Sequence, residues 1–180
     1  MLHYLKFILQ ILMAPKSGWE DVIADRQQPR DILLKGLLPL AAVAALSVGV
    51  NALYQIHPAI DKLIIKALVV FTRYTLTYFI AVALLLYALP KITDDNIVSR
   101  PRIELLSAYC VGMMAIIGIL KNLLPMELPL LQFLPFYIIV VIIQSRQFIN
   151  IDDKFLFRYA ACATAGIILP VFIIDRLLLP

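Results

Sequence analysis

Apolar residues along this chain collect into five long blocks separated by short polar turns. The longest block runs from Lys66 to Pro90 (KALVVFTRYTLTYFIAVALLLYALP), and between Lys66 and Lys91 it holds one charge, Arg73. About 20 apolar residues cross the hydrocarbon of a bilayer, and a helix in lipid satisfies its own backbone hydrogen bonds. The block therefore predicts a membrane-spanning helix. Four further blocks predict spans over 36–56, 103–124, 128–144 and 155–179. The block at 128–144 is short and holds Pro129, Gln132 and Pro135. Pro135 removes a backbone donor and crowds the preceding turn, so a kink is expected there.

Ahead of these blocks, residues 1–13 read MLHYLKFILQILM. His3, Lys6 and Gln10 fall at spacings of three and four, which puts them on one helical face. A signal peptide is the competing reading. Lys6 interrupts the apolar core, however, and Ala14-Pro15-Lys16 makes a poor cleavage site. The pattern fits an uncleaved amphipathic helix lying in the membrane interface. Pro15 and Gly18 should break it, with Ser17 as N-cap of the next helix and Glu20 as its capping-box partner. The single tryptophan, Trp19, is expected at the membrane surface. Residues 20–36 alternate charges of both signs and read as a solvated lead into the first span. The fold class expected is all-α: a polytopic membrane bundle of five transmembrane helices plus an N-terminal amphipathic interfacial helix. It divides into an N-terminal segment, 1–35, and a transmembrane domain, 36–180, with no C-terminal domain after the last span.

Composition strengthens this picture. The 180 residues are 62% hydrophobic and 16% charged, with a mean hydropathy of +0.91, whereas soluble domains are about half apolar and about a quarter charged. The net charge of +4 suits basic residues on a cytoplasmic face better than nucleic-acid binding. Eleven Lys and Arg fall on the side of the N-terminus, Lys91–Arg102 and Arg146–Arg158, against Lys62, Lys66, Lys121 and Arg176 on the other. The richer side stays inside. The N-terminus is thus expected in the cytoplasm of a bacterial cell, the C-terminus across the cytoplasmic (inner) membrane.

Small residues recur at helix-packing spacings: Ala41, Ala45 and Gly49 in the first block, Ala108, Gly112, Ala115 and Gly118 in the third, and Ala161, Cys162, Ala165 and Gly166 in the fifth. Such edges let another helix approach closely. Cys110 and Cys162 fit no zinc or redox spacing and read as small packing residues. Asn51 is the main polar group of the first span and needs a partner.

Arg73 is the most informative charge, because an arginine at the centre of a span costs about 2.5–3.5 kcal/mol on insertion scales. Its expected depth is about 10 Å from the outer end, and Asp175 and Glu127 are the candidate partners. With Thr77 and Tyr78 it marks the most polar part of the spans, either a substrate contact or a tie between helices. Asp94-Asp95 and Asp152-Asp153 sit in inner-face turns. They hint at a parallel repeat and at a shared divalent cation, although paired aspartates in turns are commonly caps. There is no phosphate-binding glycine loop, HExxH or nucleophile elbow. No catalytic residue, cofactor or metal site is expected.

The Pro-x-x-x-Trp element Pro15-Lys16-Ser17-Gly18-Trp19, the acidic residues after it and the five close-set spans resemble the Yip family. These are five-span membrane proteins that interact with Rab GTPases, and this chain is similar to their compact bacterial branch. The stretch Arg102-Ile103-Glu104-Leu105-Leu106-Ser107-Ala108-Tyr109 also resembles that family. The resemblance implies a cytoplasmic N-terminus and no catalytic residues. The long cytoplasmic region and the Asp-Leu-Tyr-Gly-Pro type motif of eukaryotic members are not in this sequence, so their trafficking role does not carry over. The function expected is helix–helix or protein–protein association in the bilayer, with membrane lipid, other membrane proteins or a second copy as partners. A small transporter or channel subunit built around Arg73 is the alternative.

Overall fold

The computed structural model describes residues 1–54, 60–93, 99–124 and 129–178. Every regular element among them is helical. His57, Glu127 and the Asp94-Asp95 pair lie outside the described residues, as does the side chain of Asn51.

Two short helices, α1 (Leu2–Met13) and α2 (Pro15–Ala24), form a hairpin. Pro15 ends α1 and occupies the first turn of α2, where its missing N–H costs nothing. Ser17 is therefore interior to α2 rather than its N-cap, and its Oγ donates to Ala14 O at 3.3 Å. Gly18 does not break the chain either. A Cβ there would lie 2.7 Å from Ile11 Cα, so its absence lets the two helices touch backbone to backbone.

The first long helix begins earlier than the hydropathy pattern suggests. A short helix α3 (Pro29–Ile32) continues through a π-turn (Leu33–Leu37) into α4 (Leu38–Ala52). Arg30, Asp31 and Lys35 of the expected solvated lead fall in its first turns, with Asp31 and Lys35 paired at 2.9 Å, while Glu20 and Asp21 belong to α2. Then follow α5 (Ile60–Thr93), α6 (Arg100–Leu123), α7 (Pro129–Gln144), α8 (Arg146–Ile149), a 3-10 turn (Asp153–Phe155) and α9 (Leu156–Leu178).

Among the described residues, four helices are long and apolar enough to cross a membrane: 29–50, α5, α6 and 153–178. The chain thus has the make-up of a membrane protein. Helix α7 is shorter, 16 residues or about 24 Å, and runs through Pro135 without a break in the helix.

Helix α6 is the hub. Its residues from Leu105 to Ala115 are buried without interruption, because α4, α5, α7 and the hairpin all pack on it. Relative directions follow from named contacts. Asn122 Nδ2 donates to Ser47 Oγ at 2.9 Å and Tyr54 OH to Leu123 O at 3.2 Å, so α4 and α6 end on the same side. Arg73 pairs with Asp175, and Gly166 faces Leu84. Helices α5 and α9 are therefore antiparallel; Tyr74 reaches Met114 while Tyr78 faces the charge of Glu104, so α5 is antiparallel to α6 as well, and α9 runs in the same direction as α6.

Candidate functional site

Two polar constellations stand out. The first lies between α5 and α9. Arg73, with its side chain 12% exposed, forms an ion pair with Asp175. Its Nη2 donates to Tyr74 OH at 2.7 Å, and its guanidinium lies 4.5 Å from the centre of the Tyr74 ring. Tyr74 in turn donates to Met114 O at 3.2 Å. The cation is thus tied to α9 directly and to α6 through a tyrosine. Of the two partners expected for Arg73, the structure brings Asp175 to it.

The satisfaction is incomplete. Among the described residues, Arg73 Nε, Asp175 Oδ1 and Thr77 Oγ1 are buried without a hydrogen-bond partner. Thr77 is fully buried one helical turn from Arg73. Tyr78 is also buried, but its ring meets Phe79 at 5.2 Å, and it takes no part in the Arg73 cluster among the described residues.

The second constellation was not apparent in the sequence. The hairpin is held on the bundle by hydrogen bonds from aromatic side chains to helix carbonyls. Tyr4 OH donates to Ala108 O at 2.6 Å, Trp19 Nε1 to Val141 O at 3.2 Å, and Tyr137 OH to Leu12 O at 2.8 Å. Trp19, expected at the membrane surface, is 2% exposed. Protein covers its ring, which stacks on Phe148 at 4.9 Å and meets Tyr109 edge-on at 6.0 Å.

At the open end of the hairpin, His3 Nε2 lies 2.8 Å from Asp25 Oδ2. Gln27 Nε2 donates to the same oxygen at 2.6 Å, and Tyr109 OH donates to Gln27 Oε1. These hydrogen bonds to the charged form hold the Asp25 carboxyl below the usual carboxylate range, Gln27 contributing most and His3 next. The start of α1, the end of α2 and the middle of α6 are thereby clasped together. The sequence signal for this seam is the place of Tyr4 among the apolar residues of α1.

The small-residue edges are largely used within the chain. A Cβ at Gly112 would overlap the Tyr4 hydroxyl, and one at Gly118 the Tyr74 hydroxyl. Each hydroxyl reaches the carbonyl four residues before the glycine, Ala108 O and Met114 O. Gly36 receives the face of the Tyr4 ring, and Gly166 receives Leu84. Ala108 and Ala45 are buried, while Cys162 is half-buried. Gly49 differs, since a Cβ there would meet nothing within 4 Å.

Asp153 pairs with Arg146, and Asp152 lies 3.9 Å from Lys154. Among the described residues no three His, Cys, Asp or Glu side chains are grouped to hold a metal ion. No family model, curated protein or solved structure matches the chain.

Proposed function

We propose that this chain is a compact Yip-family membrane protein that works without catalysis, by associating with another helix in the bilayer through α4. Its setting would be a bacterial cytoplasmic membrane, with the N-terminal hairpin on the cytoplasmic side. The observation that carries the reading is the contrast among the six glycines. Among the described residues, five are filled by groups of the chain itself, and Gly49 alone meets nothing within 4 Å. Leu46, one turn before it on α4, is 74% exposed, and Leu53, in the turn just past the helix, is 81% exposed. A glycine flanked by outward leucines lets a second backbone approach while the leucines pack around it.

The Pro-x-x-x-Trp spacing also has a physical role. Pro15 starts α2, and Trp19, a little over one turn later, seals that helix to α7. Five crossings remain the preferred layout, with α7 as the short one.

Cysteine cross-linking in reconstituted vesicles tests the association. Leu46→Cys and Leu53→Cys should each give a disulfide-linked dimer or a cross-linked partner, and Gly49→Leu should suppress both. Absence of any product at either position, in protein that is otherwise folded, overturns the reading.

The alternative, a small transporter or channel subunit, is favoured by one observation: Thr77 Oγ1, Arg73 Nε and Asp175 Oδ1 are orphaned together inside the bundle. Buried polar atoms without partners are costly and cluster where a ligand or water supplies the missing bond. Thr77→Val keeps the side-chain shape and removes only the hydroxyl. A change in solute or ion flux with unchanged stability supports this alternative, and unchanged flux removes its basis.

A further inference from the structure

Helix α1 has two apolar faces. Tyr4, Phe7, Ile8 and Ile11 face the bundle and are buried. Leu2, Leu9 and Met13 face away, and Leu2 and Met13 are 83% and 87% exposed. A groove between α1 and α2 is walled by these three apolar side chains and lined by Lys6, Gln10 and Asp21.

Its polar groups are poorly matched within the chain. Lys6 makes no ion pair among the described residues. Asp21 accepts one side-chain hydrogen bond there, from Gln10 Nε2 at 3.2 Å. Gln10 Oε1 is buried without a donor. Among the described residues the groove therefore offers a cation without an ion pair, although within electrostatic reach of Asp25, and an anion with one side-chain donor, beside the exposed side chains of Leu2, Leu9 and Met13.

We propose that this groove binds a phospholipid with a primary-ammonium headgroup, of the phosphatidylethanolamine type. The phosphate pairs with Lys6, the ammonium donates to Asp21, and the upper acyl carbons lie on Leu2, Leu9 and Met13. An anionic headgroup without an ammonium would satisfy Lys6 but bring its charge beside Asp21. A choline headgroup carries the positive charge but has no N–H to give. This inference rests on the chain lying in a membrane and is independent of α4 association, which the Leu46 cross-link reads separately.

The test is lipid retention by native mass spectrometry, with the full chain released from nanodiscs holding equal parts phosphatidylethanolamine, phosphatidylcholine and phosphatidylglycerol. Charge-assisted hydrogen bonds of this kind predict about a ten-fold excess of bound phosphatidylethanolamine over phosphatidylcholine. Asp21→Asn should abolish that preference, and Lys6→Gln should lower retention of both. Trp19 emission reports whether the hairpin is still docked in each variant. Equal retention of the two lipids by the unmodified protein, a preference that survives Asp21→Asn, or phosphatidylglycerol as the best-retained lipid would each overturn the proposal. Should Asp21→Asn undock the hairpin, the unmodified protein's ratio decides alone.

Discussion

Tyr4 and Tyr74 show what a single missing Cβ does in this bundle. A helix carbonyl already bonded to the N–H four residues on can accept a second donor only if the side chain there does not block the approach. Gly112 and Gly118 clear that approach to Ala108 O and Met114 O. Overpacking a filled site costs about 1–3 kcal/mol, so Gly112→Ala and Gly118→Ala should each destabilise the protein by about that amount in denaturant titrations in mixed micelles. The two differ in how they are rescued. Without the Tyr74 hydroxyl, the nearest ring atom to a Cβ at position 118 is 3.4 Å away, an ordinary contact. Tyr74→Phe should therefore restore most of the loss in Gly118→Ala. At position 112 the Tyr4 ring carbon remains at 2.9 Å and Ile8 Cδ1 at 3.0 Å, so Tyr4→Phe should restore only part. Equal rescue at both sites would refute this account of the glycines.

At the scale of elements, the hairpin is the informative piece, and it was only half legible in the sequence. The spacing of His3, Lys6 and Gln10 correctly marks a helix with one polar stripe. It does not reveal that the apolar remainder splits into a face for protein and a face for the surroundings, because both are built from the same residue types. Trp19 illustrates the same limit. Its amphipathic ring suits a membrane surface and a protein seam equally, and only the position of Val141 O and Phe148 decides between them. Arg73 and Asp175 were more legible, since a charge within a span requires an opposite charge at its own depth.

The clasp makes the hairpin's docking pH-dependent. Asp25 is held ionised by Gln27 and His3, with Lys6 also nearby. Its depressed pKa means the contribution is fully present above the ordinary aspartate value of about 3.9 and is lost as the pH falls through the lower folded value. The single tryptophan should report this as a red shift of emission on acidification below about pH 4. Asp25→Asn should flatten that transition, and an unaltered one would place the acid response elsewhere.

For the molecule as a whole, the direction of α9 matters more than the length of α7. Helix α6 ends beside the end of α4, and α9 ends beside Arg73 on α5, whose neighbour Tyr74 reaches Met114 in the second half of α6. Helices α4, α6 and α9 thus run one way and α5 the other. The chain must return from the end of α6 to the start of α9, and α7 with α8 is the segment available to carry it. A helix of about 24 Å falls short of a hydrocarbon core of about 30 Å, and a bilayer adjusts to such mismatch at modest cost. Five crossings place Lys16 and Asp152 on one side and Arg176 on the other. A re-entrant α7 instead moves Asp152 away from Lys16 and brings Arg176 to it. Single cysteines at Lys16, Asp152 and Arg176, with Cys110 and Cys162 replaced by alanine, separate the two layouts in sealed vesicles of known orientation. An impermeant maleimide should label positions 16 and 152 from the same compartment and position 176 from the opposite one. Labelling of 16 and 176 together would reduce the crossings to four and leave α7 inside one leaflet.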